Sequence, residues 1–220
     1  MTKMIALSGA QGSGKDTVGT ILRERGFKVI ALADTLKNEV AANWCTSPDI
    51  MFTRLEKDTP NKHNAILFST SQIFTQWFIT SATFAAEKSN NHYPLLTPRT
   101  PRELLLLWSQ WRKSVAGDDV FIIATLRKIL AEHFHYNVVI TDARLPIEQE
   151  KLRMLAHDWH YDFESWEIAR PGYDYSNRDQ YDTRLPAELI DFTMTNNGSV
   201  NDLTSCIEKW LSERSFETVK

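Results

Sequence analysis

The strongest constraint on what this chain can fold into lies within its first seventeen residues. An apolar run at 4–8 (MIALS) leads directly into Gly9-Ala10-Gln11-Gly12-Ser13-Gly14-Lys15, and a helical pattern with Val18, Ile21 and Leu22 on one side begins at once. A G-x-x-x-x-G-K loop between a strand and a helix puts convergent backbone N–H groups where phosphate oxygens can sit. Glycines allow backbone angles and close approach that a Cβ would block. The first turn of the helix adds free amides and the positive end of its dipole. Lys15 then supplies a mobile charge for β- and γ-phosphates. The candidate nucleotide contacts are Gly9, Gly12, Ser13, Gly14, Lys15, Asp16 and Thr17, with ATP as co-substrate and Mg²⁺ as its companion ion. A glycine-rich turn with no nucleotide is the bland alternative.

The usual motif places Ser or Thr immediately after the lysine. Here Asp16 stands there, and Thr17 follows. A carboxylate cannot mimic a neutral hydroxyl, so Asp16 would either meet Mg²⁺ through water or complement the helix N-terminus. Thr17 can donate to a phosphate.

Beyond the loop, apolar runs at 27–32, 137–141, 161–169 and 190–195 alternate with helical patterns. This order predicts an α/β chain: a three-layer P-loop NTPase fold, with a mostly parallel sheet of about five strands and helical acceptor and lid insertions. The expected organisation is a single domain over 1–220, with a helical acceptor-binding insertion at 45–116 and a loop or lid at 171–188. Asp34 is expected to cap the helix that carries Leu36, Val40, Ala41 and Trp44. Residues 71–86 read as one helix. A further helix from Pro101 should bury Leu104, Leu107, Trp108, Trp111 and Val115, and end at Gly117.

The 25 basic and 28 acidic side chains leave a formal charge of −3, which gives no electrostatic case for a nucleic acid polymer or an anionic membrane. The short apolar N-terminus is neither a signal peptide nor a membrane span, so a cytoplasmic location is the default. Cys45 and Cys206 read as reduced, partly buried thiols. The six histidines lack metal spacing, and no Ser-His-Asp set can be nominated.

Aspartates and arginines complete the candidate set. Asp142 follows a five-residue apolar strand, at the sheet edge where ligands of open parallel sheets bind, and could orient Mg²⁺ or its waters. Capping the next turn is the competing reading. Asp34 could likewise meet an acceptor hydroxyl. Arg102 and Arg112 lie ten residues apart on one helix, Arg144 is two residues beyond Asp142, and Arg170 precedes Pro171-Gly172. Guanidinium groups bind phosphate bidentately, so these four could clamp a monophosphate or a transferring phosphoryl group. Arg178 and Arg184 are weaker lid candidates.

Taken together, the chain resembles the bacteriophage deoxynucleoside monophosphate kinase family. The resemblance rests on GAQGSGKDT (9–17), ALADTLK (31–37, matching at Asp34 and Lys37), TPRELLLLWSQWR (100–112, matching at Arg102 and Arg112) and VVITDARLPIEQE (138–150, giving Asp142 and Arg144). A looser match, FTMTNNGSVNDL (192–203), implies that Asn197 and Gly198 line the adenine pocket. The chain departs from the family at 179–182 (DQYD), and 45–91 carries no family signature.

The resemblance implies transfer of the ATP γ-phosphate to a deoxynucleoside 5′-monophosphate. Lys15, Arg112, Asp142 and Arg144 would be catalytic; Asp34, Lys37, Arg102, Arg112, Arg144 and Arg170 would hold the acceptor; Asp142 and Asp16 would meet Mg²⁺. A viral chain would work in the host cytoplasm, and a homodimer is compatible with an apolar helix face. The rivals are a kinase for another phosphorylated acceptor, such as dephospho-coenzyme A or phosphomevalonate, and a non-enzymatic nucleotide-binding switch.

Overall fold

The computed structural model describes residues 2–53, 55–89, 93–173, 175 and 184–213. In chain order the elements are β1 (Lys3–Ser8), α1 (Lys15–Glu24), β2 (Lys28–Ile30), α2 (Leu32–Asn43), α3 (Pro48–Met51), α4 (Gln72–Ile79), α5 (Ala82–Ser89), α6 (Pro101–Ala116) and α7 (Val120–Lys128). They continue with β3 (Val138–Ile140), α8 (Pro146–Asp158), β4 (Asp162–Ala169), β5 (Phe192–Thr195) and α9 (Val200–Glu213). Two compact units result. One comprises Met1–Leu32 with Ile122–Lys220, and the other is Ala33–Phe121.

The first unit is an α/β sandwich around a five-stranded, all-parallel sheet of order β2-β3-β1-β4-β5. Its central strand is buried on both faces, which is why residues 4–7 read as an unbroken apolar run. Met4 and Ala6 join Val138 and Ile140 against Ile122, Leu126, Leu152 and Ala156 of α7 and α8. Ile5 and Leu7 point the other way, onto Val18 and Leu22 of α1 and Leu203, Ile207 and Trp210 of α9. Successive side chains of one strand thus feed two cores, as the period of two requires. Gly26, at φ 90°, closes α1, with its N–H and that of Phe27 donating to the carbonyls of Arg23 and Leu22.

The second unit is helical and contains the stretch 45–116. Its core gathers Val40, Ala41, Trp44, Ile66, Phe74, Phe78, Leu104, Leu107 and Trp108. The rings of Phe74 and Trp108 lie 4.9 Å apart between centroids, within the range where aromatic pairs attract.

Several local expectations change. Residues 71–86 do not form one helix: α4 stops at Ile79 and α5 starts at Ala82. The hydroxyl of Thr80 donates to the Trp77 carbonyl, and that of Ser81 accepts the Phe84 N–H, so two hydroxyls recruit the backbone groups a continuous helix would use. Asp34 is not the N-cap of α2, because that helix begins two residues earlier. Val115 is 59% exposed, since the sixteen-residue α6 outruns the eight-residue α4 packed on it. Trp77 and Trp111 are half-buried at the core edge. Both cysteines are exposed. Among the described residues, no helix is long and apolar enough to cross a membrane.

Candidate phosphate-binding site

The loop between β1 and α1 is held in a shape only glycine permits. Gly9 has φ 140°, and a Cβ there would stand 2.4 Å from the Ile168 carbonyl oxygen of β4. Gly14 has φ 107° and N-caps α1; its Cβ would stand 2.4 Å from Asn196 Nδ2. Both contacts lie well inside van der Waals distance, and the left-handed angles add a steric cost for any L side chain. The Ser13 N–H donates to the Ala10 carbonyl at 3.1 Å, tightening the turn.

Lys15 folds back over this loop. Its buried ammonium donates to the carbonyl oxygens of Gly9 at 2.7 Å and Ala10 at 2.8 Å, which centres the charge above the backbone. Ser13 Oγ is buried and has no hydrogen-bond partner among the described residues. Asp16 is exposed in the first turn of α1, where its charge complements the helix dipole, and Thr17 is half-buried beside it.

Two neighbouring strands brace the loop. Asn196, one residue past β5, takes the Ala169 carbonyl on its own N–H at 2.7 Å and donates from Nδ2 to the Ser13 carbonyl at 2.8 Å. Arg170, one residue past β4, donates to the Gly12 carbonyl at 3.3 Å and stacks 4.4 Å from the ring centroid of Tyr173. The Tyr173 ring covers Gly12 closely: a Cβ on that glycine would meet two ring carbons at 2.8 Å. A cation and an aromatic ring therefore sit directly on the loop.

Sequence reasoning placed Arg170 in the set but missed Asn196, Tyr173 and Glu167. It named Asn197 and Gly198 instead, and both are exposed. Asn196 could have been found as the first polar residue at the carboxyl end of an outer parallel strand. Glu167 pairs in register with Ser8, the residue before the loop, and is buried. It binds Arg184 through two hydrogen bonds of 2.8 and 2.7 Å and accepts one from Tyr175 at 3.3 Å. Arg184 is thus an anchor for the end of the 171–188 segment. Arg178 and residues 179–182 lie outside the described residues.

Asp142 follows β3, and one of its oxygens accepts the Leu32 N–H at 2.6 Å. It therefore caps α2 across the sheet edge. Arg144 is exposed, and its side chain makes no hydrogen bond or ion pair with a described residue. Its backbone N–H donates to Glu148.

The remaining candidates belong to the second unit. Asp34 lies in the first turn of α2, and Lys37 follows on the same helix, both half-buried. Arg102 pairs with Asp58 at 2.6 Å, and that hydrogen bond holds the Asp58 carboxyl below the usual carboxylate range. Arg112 grips Glu39 of α2 with bonds of 3.0 and 3.2 Å, while Trp108 donates to the same carboxylate at 2.7 Å. Ten helical residues separate the two arginines by about 15 Å along the axis, and they engage separate acids.

No family model and no curated protein matches this chain. Among solved structures, it is similar to the APS kinase CysC of Mycobacterium tuberculosis in complex with AMPPNP and APS, at 14% identity over 96% of this chain and 98% of the other, with a TM-score of 0.45. It is also similar to dephospho-CoA kinase from Campylobacter jejuni, at 15% identity over 96% and 97% of the two chains, with a TM-score of 0.39. The chain's own parallel sheet, strand order and glycine-lysine loop are those of a three-layer P-loop fold.

Proposed function

We propose that this chain transfers the γ-phosphate of ATP to the 5′-phosphate of a deoxynucleoside monophosphate. The observation that carries the proposal is the braced loop: glycines at φ 140° and 107°, a buried lysine centred over it, and a helix N-terminus opening beneath. Phosphoryl transfer asks a protein mainly for positioning and neutralisation, and this loop supplies both. The deoxynucleotide acceptor is supported by the Asp34–Lys37, Arg102–Arg112 and Asp142–Arg144 blocks, which resemble the phage kinase family.

Loop amides and Lys15 bind the donor phosphates. Arg170, already at the Gly12 carbonyl, adds positive charge at the loop and, with Tyr173, excludes water from it. Arg144 offers an exposed guanidinium beyond β3 for a phosphate oxygen. Arg102 and Arg112 exchange their carboxylate partners for the acceptor phosphate, whose oxygens accept two parallel N–H bonds equally well.

Mg²⁺ fits the residues present. Mg²⁺ keeps several waters and leans on substrate phosphates, so one or two carboxylates suffice to hold it. Hard oxygen donors stand at Asp16, Thr17 and Asp142, and Asp16 and Asp142 would hold the ion through water. When bound, Mg²⁺ neutralises charge developing on the β- and γ-oxygens.

The test is direct. Purified protein is incubated with ATP, Mg²⁺ and a panel of monophosphates, and the products are separated by charge. Diphosphate from at least one deoxynucleotide is expected. Its absence from all of them refutes the acceptor assignment, and phosphorylation of dephospho-coenzyme A or phosphomevalonate would replace it.

A further inference from the structure

Asn196 stands one residue past β5, where the sheet fixes its backbone. Its N–H donates to the Ala169 carbonyl at 2.7 Å, directly after the pairing of Ala169 with Thr195. From that fixed base Nδ2 donates to the Ser13 carbonyl at 2.8 Å, across 183 positions of sequence. A carbonyl oxygen can only accept, so the NH₂ end of the carboxamide is the end that faces the loop. The carboxamide also lies flush against Gly14, where a Cβ would stand 2.4 Å from Nδ2.

The chemical consequence follows from the peptide plane. In a trans peptide the C=O and the N–H of the next residue point in opposite directions. Holding the Ser13 carbonyl therefore aims the Gly14 N–H away from Asn196. Gly14 is the N-cap of α1, so its N–H is one of the donors at that helix end with no acceptor inside the helix. Donors of this kind are the ones that meet phosphate oxygens. A hydrogen bond to the carbonyl also polarises the peptide and strengthens its N–H as a donor.

Other side chains touch the loop's carbonyls, but they act differently. Lys15 holds those of Gly9 and Ala10, and Arg170 holds that of Gly12. Both are cations, for which an arriving phosphate competes with the carbonyls. The peptide that Arg170 holds also spends its N–H within the loop, because the Ser13 N–H donates to the Ala10 carbonyl. Asn196 is neutral, so its bond persists when an anion arrives.

We infer that Asn196 is a positioning residue for the donor nucleotide: through the Ser13–Gly14 peptide it aims the Gly14 N–H at a phosphate oxygen. The inference rests on the reading of this loop as the donor-phosphate site.

Two measurements on the whole chain test it: titration calorimetry with ADP and Mg²⁺, and the Gly14 amide proton shift in isotope-labelled protein with and without that nucleotide. In wild type the Gly14 proton should move downfield, as a proton does on bonding to an anionic oxygen. Asn196→Ala should lose most of that movement and weaken ADP binding about threefold to tenfold. In turnover the KM for ATP should rise by a similar factor, with the KM of the acceptor unchanged. If Asn196→Ala fails to fold, Asn196→Leu decides, since it keeps the bulk and removes the donor. A lowered melting temperature with ADP affinity and the Gly14 movement both retained overturns the inference, makes Asn196 a structural tie, and leaves the kinase reading standing. A wild type that binds no ADP and shows no Gly14 movement refutes the phosphate-loop reading itself.

Discussion

Lys15 is the residue on which the proposed chemistry depends most directly. Its ammonium lies 2.7 and 2.8 Å from two loop carbonyls, so the charge is placed before any phosphate contact is made. Lys15→Ala should lower kcat/KM by on the order of 10²-fold or more, with the far-UV spectrum unchanged. Activity within threefold of wild type would remove the loop from the mechanism. Tyr161 makes a separate prediction about stability. Its hydroxyl is buried and donates to the Phe134 carbonyl at 2.7 Å, and burial pushes its pKa up to about 12. The unfolded chain loses this proton near pH 10, so the stabilising contribution is complete below pH 10 and declines as pH rises towards 12. Denaturant midpoints from pH 8 to pH 11 should fall at the alkaline end, and Tyr161→Phe should flatten that fall.

At the scale of elements, the start of α6 was legible from Pro101 alone, and the structure adds the cap in front of it. Thr100 accepts the Glu103 N–H at 3.1 Å while the Glu103 carboxylate accepts the Thr100 N–H at 2.7 Å, which makes a capping box. Thr100→Ala should cost about 1 kcal/mol in chemical denaturation, and no change would show that α6 gains nothing from its cap. The start of α2 was not legible in the same way. Its first N–H finds Asp142, 110 residues away, and the local candidate Asp34 lies inside the helix. The break between α4 and α5 was missed because apolar spacing runs through it, and hydroxyl competition for backbone groups leaves no trace in that spacing.

At the scale of the whole molecule, an α/β unit carries the glycine-lysine loop, and a helical unit carries Arg102 and Arg112. ATP at about one hundred times its Kd should stabilise the folded protein by about 2.7 kcal/mol, seen as a rise in melting temperature. Lys15→Ala should abolish that rise. A rise of equal size in the variant would mean that nucleotide binds elsewhere.

Local sequence determined the strand–loop–helix unit, the parallel α/β class and the glycine-lysine loop, because each rests on spacing and on backbone angles that only particular residues adopt. Tertiary structure decided everything that depends on partners distant in the chain. It put Asn196 on Ser13, Arg170 on Gly12, Arg184 on the buried Glu167 and Asp142 on Leu32. Each of these bonds joins residues that a parallel sheet or a loop return brings together, and no periodicity in a single segment encodes which distant carbonyl or amide a polar side chain will meet.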